Sequence, residues 1–240
     1  MFLHPELLAL LLVLTLGGRV RAAKIIGGRE AEPHSRPYMA LVELREEDGQ
    51  KKHCGGFLLQ EDFVMTAAHC QARFYTVYLG LHRVPKGAEI QRLSVKQSYP
   101  HEDFTFTDFK NDIMLLKLSS KANFTQNVRP IALADKSDVS LPNSCLVSGW
   151  GATHENTKHM SRVLMEVNVT LADRQRCAED HLYCSEEKTG PSKGDSGGPL
   201  VCEGKAYGVA SVSFQPKSNL YYFTKIPDYR SWIDPIVHDL

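Results

Sequence analysis

The stretch Gly194-Asp195-Ser196-Gly197-Gly198-Pro199 places a serine among glycines, directly after an acidic residue. Far upstream lies Thr66-Ala67-Ala68-His69-Cys70, and between the two lies Asn111-Asp112-Ile113-Met114-Leu115-Leu116. A serine hydroxyl is a weak nucleophile at neutral pH, so it needs a neighbouring base whose tautomer is fixed by a third group. The three stretches supply an imidazole, a carboxylate and a hydroxyl in that chain order, and they form a candidate catalytic set.

The composition is that of an ordinary globular protein. The chain has 240 residues, 42% of them apolar and 23% charged, which argues against disorder and suffices for one large or two small domains. The 28 basic and 28 acidic residues balance, so no global field would attract nucleic acid. Removal of residues 1–24 would leave 25 basic and 27 acidic residues, a net charge of −2.

The N-terminus carries a long apolar run from Leu7 to Leu16. The run is too short to cross a bilayer, and its position predicts the core of a signal peptide. Small residues in Val20-Arg21-Ala22 favour cleavage after Ala22. We therefore expect a signal peptide at 1–22, an activation dipeptide at 23–24, and a product that is secreted or stored in granules, with no membrane attachment after signal removal.

The cysteines predict disulfides rather than metal ligands, because there are six of them in a secretory context. Neither a CxxC nor an HExxH pattern occurs, so no metal site is expected. Two sequons, which begin at Asn123 and Asn168, agree with passage through the secretory pathway and make both asparagines candidates for glycosylation.

Short apolar or alternating runs recur along the chain and are separated by turn residues, which is typical of an antiparallel sandwich or barrel. The runs lie at 39–44, 57–59, 63–67, 74–79, 113–118, 145–148, 163–169, 206–214 and 220–226. Helical spacing is scarce and favours a short segment at 172–177 and a terminal segment at 228–240. Pro235 should bend or end the terminal helix, because it has no backbone donor.

Two further stretches, Pro33-His34-Ser35-Arg36-Pro37-Tyr38-Met39-Ala40 and His53-Cys54-Gly55-Gly56-Phe57-Leu58-Leu59, complete a set of motifs with the serine-containing stretch extended to 193–202. With these motifs the chain resembles the chymotrypsin-fold (trypsin-like) serine proteases, and within them the granzyme, chymase and cathepsin G branch. The likeness runs from Ile25 to about Trp232.

The resemblance implies an all-β fold of two six-stranded antiparallel β-barrels with the catalytic cleft between them and a short C-terminal helix. The protease domain would comprise residues 25–240, with barrel 1 at about 25–125 and barrel 2 at about 126–240. Implied partners are protein and peptide substrates and serpin-type inhibitors, and the expected state is a monomer that binds no nucleic acid.

The implied activity is that of a serine endopeptidase, which hydrolyses peptide bonds through an acyl-enzyme and needs no cofactor. His69 would be the general base, Asp112 its orienting carboxylate and Ser196 the nucleophile. Backbone N–H groups of Gly194 and Ser196 would form the oxyanion hole. Asp108 is a second candidate for the carboxylate. Phosphate binding by the Gly-rich loop is disfavoured, because no GK[ST] sequence is present.

The resemblance also implies activation by cleavage after Lys24. The new α-amino group of Ile25, with a pKa of about 8, would be charged at neutral pH and would pair with Asp195. Breaking one side of a buried pair is costly, so Ile25 is the predicted activation switch. The cysteines would pair as Cys54–Cys70, Cys145–Cys202 and Cys177–Cys184.

Substrate preference would depend on a pocket formed by Gly190, Lys193, Ser211, Val212, Ser213 and Tyr221. Gly190 lies at the pocket floor, where an Asp in trypsin-like proteases binds Arg or Lys, so the preference should be non-tryptic. The phenol of Tyr221 and the hydroxymethyl group of Ser213 should narrow the pocket. We expect small or medium aliphatic residues before the cleaved bond, with a chymase-like preference for Phe or Tyr as the alternative. Lys193 would favour acidic residues on the leaving side.

A homologue that has lost catalysis and acts by binding, as an antimicrobial or signalling protein, is the competing class of function. The presence of His69, Asp112 and Ser196 argues against it. The unusual pocket wall and the short segment between Cys177 and Ser196 keep it open. Storage bound to a proteoglycan is disfavoured by the net charge of −2.

Overall fold

The computed structural model describes residues 25–84, 90–138, 141–142, 144–152, 159–211 and 219–239. The described part is mostly β, as predicted. Its strands are β1 Arg29–Glu30, β2 Met39–Arg45, β3 Lys51–Gln60, β4 Phe63–Thr66, β5 Phe74–Leu79, β6 Gln91–Pro100, β7 Met114–Leu118, β8 Cys145–Gly149, β9 Met165–Val169, β10 Leu171–Ala172, β11 Leu182–Glu186, β12 Pro199–Cys202, β13 Lys205–Ala210 and β14 Leu220–Lys225. Its α-helices are α1 Gln175–Glu179 and α2 Arg230–Asp239, and single 3-10 turns lie at Ala68–Cys70 and Ile226–Tyr229.

The first half of the chain forms a closed barrel in the order β2-β3-β4-β7-β6-β5. Strand β7 is an almost continuous apolar run, and Phe57, Phe63 and Leu115 are fully buried in the barrel core. Strand β6 was not among the predicted runs, because most of its ten residues are polar and its burial alternates. Only Leu93 and Val95 of its inward face pack on the core as aliphatic side chains.

The second half forms an eight-stranded antiparallel sheet in the order β1-β9-β8-β12-β13-β14-β11-β10. The chymotrypsin-like class is as predicted, but in the described residues this sheet is an open half-barrel rather than a closed six-stranded barrel. Its two ends are the two-residue strands β1 and β10, and β1 pairs with β9 through Arg29↔Glu166 and Glu30↔Met165. The chain segment that precedes the first barrel therefore belongs to the second half.

The two halves meet where the serine-containing stretch passes β3. The backbone N–H of Gly55 donates to the carbonyl of Ser196 at 2.7 Å, and the Thr66 hydroxyl donates to the carbonyl of Gly55 at 2.8 Å. The first barrel therefore holds the backbone of Ser196 directly.

Three disulfides join the pairs that the resemblance implies: Cys54–Cys70, Cys145–Cys202 and Cys177–Cys184. The first lies beside His69, the second crosses from β8 to β12, and the third ties α1 to β11. Among the described residues, no helix has the length and apolar character needed to span a membrane.

The C-terminal helix α2 does not end at Pro235 but continues to Asp239. The expectation that the proline could end the helix is therefore wrong. The reason is tertiary packing, since Trp232, Ile233, Ile236 and Val237 all pack against the core of the first barrel. Burial of this apolar face outweighs the hydrogen bond that Pro235 cannot donate.

Replacing Pro235 with Ala should stabilise the protein, because the side chain is exposed and the missing backbone donor is restored. The gain of about 3 kcal/mol in a helix interior is offset by up to about 1 kcal/mol of added freedom in the unfolded chain. Thermal unfolding should therefore show a Tm that is about 4–8 °C higher. The control Ser231→Ala, at an exposed position of the same helix, should change Tm by less than about 2 °C. A lower Tm for Pro235→Ala would contradict this account of the helix.

Candidate active site

Asp112 and His69 form a hydrogen-bonded pair between the first barrel and the second sheet. Asp112 is completely buried. Its Oδ2 lies 2.7 Å from Nδ1 of His69, and its Oδ1 accepts the backbone N–H of His69 at 2.8 Å. A carboxylate only accepts hydrogen bonds, so Nδ1 must carry the hydrogen, and this leaves Nε2 as the free acceptor of the ring.

Other side chains hold Asp112 from the second half of the chain. The Ser211 hydroxyl donates to Oδ2 of Asp112 at 2.5 Å, and the buried Thr224 hydroxyl donates to the Asp112 carbonyl at 2.9 Å. Tyr229 donates to the side chain of the preceding Asn111 at 2.9 Å. Ser211, predicted as a wall of the substrate pocket, is thus also a partner of Asp112. Thr224 and Tyr229 carried no signal in the sequence.

Asp108, the alternative carboxylate, is not a partner of His69. It is exposed and accepts hydrogen bonds within its own loop, from the Thr105 hydroxyl and from the backbone N–H of Lys110. These hydrogen bonds lower its pKa, with the Thr105 hydroxyl as the largest cause. The structure therefore brings Asp112, and not Asp108, to the imidazole.

Ser196 is half-buried, and its backbone runs beside the disulfide that adjoins His69. Its carbonyl oxygen lies 2.7 Å from the Gly55 nitrogen and 4.0 Å from Sγ of Cys70. Chain-distant residues are thus neighbours at the junction of the two halves.

Gly194, directly before Asp195, has a positive φ, a backbone conformation that is strained for a residue with a side chain. Gly194 has a φ of 99°, and the Asp195 N–H closes a turn on the Ser192 carbonyl at 2.9 Å. Within the described part of the chain, neither the Gly194 nor the Ser196 N–H donates to a protein acceptor. Both amides are therefore available to a bound oxyanion.

Asp195 is a second fully buried carboxylate, and among the described residues all of its donors are neutral. Its Oδ1 accepts the Gly151 N–H at 2.7 Å, and its Oδ2 accepts the Ser192 N–H at 2.9 Å. A Cβ at Gly149 would lie 2.0 Å from Oδ1 and one at Gly151 2.3 Å from Oδ2, so both positions need glycine. Burial raises the pKa of Asp195 to about 6, despite the lowering effect of these hydrogen bonds.

Ile25 lies in the core of the second half. It is completely buried with a φ of 53°, and the following Ile26 forms a bridge to Gly190, whose N–H donates to the Ile26 carbonyl at 3.1 Å. In the intact chain the Ile25 nitrogen belongs to a peptide bond, so it brings no charge to Asp195.

Gly190, the predicted pocket floor, lies against the ring of Tyr221. A Cβ at position 190 would be 2.5 Å from Cε2 and 2.7 Å from Cζ of that ring. The phenol therefore occupies the space directly above the glycine. Lys193 is exposed, and its carbonyl accepts the Ala152 N–H at 2.7 Å. The predicted wall residues Val212 and Ser213 lie outside the described residues.

An aromatic cluster next to His69 was missed by the sequence reasoning. The Phe109 ring centroid lies 5.8 Å from that of His69, and Phe109 packs edge-on with Phe104 and Phe106. Phe106 is 62% exposed, so the cluster borders solvent beside the imidazole. Three phenylalanines shortly before Asp112 were the available signal.

The glycosylation candidates Asn123 and Asn168 are both exposed.

Among the described residues, one set of potential metal ligands has its atoms within 4.8 Å: Cys54, His69 and Cys70. Both sulfurs are in a disulfide, so they cannot act as thiolate ligands.

Known proteins similar to this chain show the family to which it belongs. Residues 25–233 match the model of the family described as Trypsin. The chain belongs to this family of chymotrypsin-like serine proteases. It is accordingly a serine endopeptidase of the trypsin-like type, which acts on protein substrates.

Similar proteins cover nearly the whole chain. Granzyme E of Mus musculus is 41% identical over 242 residues, which cover 95% of this chain and 96% of the relative. Chymase of Canis lupus familiaris is 41% identical over 238 residues, which cover 95% of each. The solved structure of GrC superposes with a TM-score of 0.83 at 38% identity, covering 89% of this chain and 99% of that one.

The ionisation of Asp195 should make the intact chain less stable as the pH rises. The pKa is about 6 in the folded chain against an ordinary 3.8, so between these values the folded state binds more protons than the unfolded state. The lost stability reaches about 3 kcal/mol above pH 6. Asp195→Asn is neutral at every pH, so its stability relative to the wild type should rise between pH 4 and pH 7.5.

Urea unfolding of the two intact chains between pH 4 and pH 8 measures this difference. Glu203→Gln, an exposed carboxylate in a turn of the same sheet, is the matched control and should show a difference that is small at each pH. A stability difference between Asp195→Asn and wild type that does not change with pH would contradict the buried carboxylate.

Proposed function

We propose that Ser196 is the nucleophile of this endopeptidase, His69 its general base and Asp112 the carboxylate that orients the base. The main support for this proposal is the fully buried Asp112 carboxylate, whose Oδ2 lies 2.7 Å from Nδ1 of His69. With its hydrogen on Nδ1, the ring offers Nε2 to take the Ser196 proton. Asp112 then stabilises the imidazolium that forms.

The oxyanion of the tetrahedral intermediate would accept hydrogen bonds from the backbone N–H groups of Gly194 and Ser196. His69 then returns the proton to the leaving amine, and water hydrolyses the acyl-enzyme by the same steps in reverse. The availability of both amides and the positive φ of Gly194 support this assignment.

Activation follows from cleavage after Lys24, with residues 1–22 as signal peptide, 23–24 as activation dipeptide and 25–240 as the protease. The freed ammonium of Ile25 would then pair with Asp195. Support comes from the buried position of Ile25 and from the Asp195 carboxylate, whose donors within the described ranges are all neutral. A charged partner would offset the desolvation that raises its pKa.

The mature protein is a monomer that is secreted or stored in granules, with Asn123 and Asn168 glycosylated and serpin-type inhibitors as partners. Three disulfides suit an oxidising compartment, and both asparagines are exposed. Similarity to granzymes and a chymase agrees with this placement.

Labelling with a fluorophosphonate tests the catalytic assignment. The processed wild type should react, and Ser196→Ala should not. Asp112→Asn should lower kcat by about 10⁴-fold, as the corresponding change does in a trypsin-type triad, because the ring is then held in the wrong tautomer. Asp108→Asn, in the same loop, should keep wild-type activity. An unlabelled wild type would overturn the assignment and favour a protein that acts by binding.

The substrate pocket accepts small or medium aliphatic residues before the cleaved bond, because the Tyr221 ring lies against Gly190 and shortens the pocket. A chymase-like preference for Phe or Tyr is the alternative, and the similarity to a chymase favours it. The exposed Lys193 adds a preference for acidic residues on the leaving side.

Peptide-library profiling of Tyr221→Ala tests the role of the phenol. The wild type should cleave after Ala, Val or similar residues, and the variant should gain at least about tenfold in kcat/KM for Phe or Tyr, because the pocket is deeper. Tyr222→Ala is the matched control, since adjacent side chains of a strand point to opposite faces. Dominant cleavage after Phe or Tyr by the wild type would contradict the narrow pocket.

A further inference from the structure

The polar groups of Ser192 contact the turn that contains the candidate oxyanion hole and the neighbouring segment 149–152. Its N–H donates to Oδ2 of Asp195 at 2.9 Å, and its carbonyl accepts the Asp195 N–H at 2.9 Å. Its hydroxyl lies 2.5 Å from the carbonyl oxygen of Ala152 and 3.2 Å from Oδ2 of Asp195. The sequence motifs assign no role to Ser192.

The hydroxyl bridges two chain segments that enclose Asp195. One segment is 149–152, whose glycines touch the carboxylate, and the other is the turn 192–195. The Ala152 N–H also donates to the Lys193 carbonyl at 2.7 Å, so the segments are joined on both sides of Ser192. A Cβ at Gly194 would lie 3.2 Å from Cα of Gly151, which shows how closely they pack.

The hydrogen bond from the Ser192 hydroxyl to the Ala152 carbonyl favours one position of the turn 192–195. Ala152 is buried, so loss of the Ser192 hydroxyl removes a donor from a carbonyl in a buried segment and loosens the turn that carries Asp195. The carboxylate and the Gly194 and Ser196 amides belong to one short turn. A displaced Asp195 would therefore turn the amides away from the oxyanion.

We propose that Ser192 is a positioning residue of the active site, whose hydroxyl donates to the Ala152 carbonyl and so fixes the turn that carries Asp195, with the Gly194 and Ser196 amides facing the oxyanion. The proposal rests on the proposed function of these residues. Ser192 contacts no reacting atom and acts only through the position of Asp195.

The test compares processed wild type with Ser192→Ala and Ser192→Thr. Ser192→Ala should lower kcat about 10- to 100-fold with KM little changed, because the hydrogen bond that joins the turn to the Ala152 carbonyl is lost. Ser192→Thr keeps the hydroxyl and should recover most of kcat. Ser185→Ala is the matched control: its hydroxyl is fully buried without a partner in the described residues, so activity should not change.

The pH profile separates positioning from general destabilisation. At alkaline pH the Ile25 ammonium loses its proton, and the turn then depends more on its neutral donors. The alkaline limb of kcat/KM in Ser192→Ala should therefore move to lower pH by up to about one unit. Ser192→Cys, a similar shape with a weaker donor, should lie between wild type and Ser192→Ala and serves if the alanine variant does not fold.

Wild-type kcat and an unmoved alkaline limb in a folded Ser192→Ala would overturn the proposal, as would a threonine variant that is as impaired as alanine. In both cases the wild type still reacts with a fluorophosphonate. Failure of the wild type itself to react would instead overturn the catalytic assignment, so the two failures are distinguishable.

Discussion

The structure depends on one buried carboxylate at the junction of its two halves. Asp112 has no solvent contact, so both of its oxygens must be hydrogen-bonded within the protein. The donors come from His69 in the first barrel and from Ser211 in the second half of the chain. Both halves of the chain therefore supply donors to the same buried carboxylate. The hydrogen bond from Nδ1 to this carboxylate also fixes the orientation of the His69 ring.

Asp195 is a second buried carboxylate with the opposite character. Asp112 faces an imidazole that can become charged, whereas the groups that contact Asp195 in the described part of the chain are backbone N–H groups and a hydroxyl. Burial consequently raises the pKa of Asp195 to about 6. A buried carboxylate whose donors are all neutral suits an enzyme that is activated by a new positive charge, and the buried Ile25 is placed in the same half of the molecule.

The sequence predicted the class of fold and the residues of the candidate site through short motifs that combine rare residues in a fixed order. Apolar runs predicted strands such as β2 and β7, but β6 is mostly polar and was missed. Pro235 was misjudged because helix α2 is stabilised by packing that local sequence does not show. The direct contact of Tyr221 with Gly190 also depends on tertiary packing, because the two residues lie on separate segments of the chain.

Proton NMR of the processed enzyme tests the central pairing most directly. A hydrogen held between Nδ1 of His69 and the buried Asp112 carboxylate should resonate far downfield of the backbone amides. This resonance should persist in Ser196→Ala and disappear in Asp112→Asn. Its absence from the wild type, or its survival without the Asp112 carboxylate, would contradict the account.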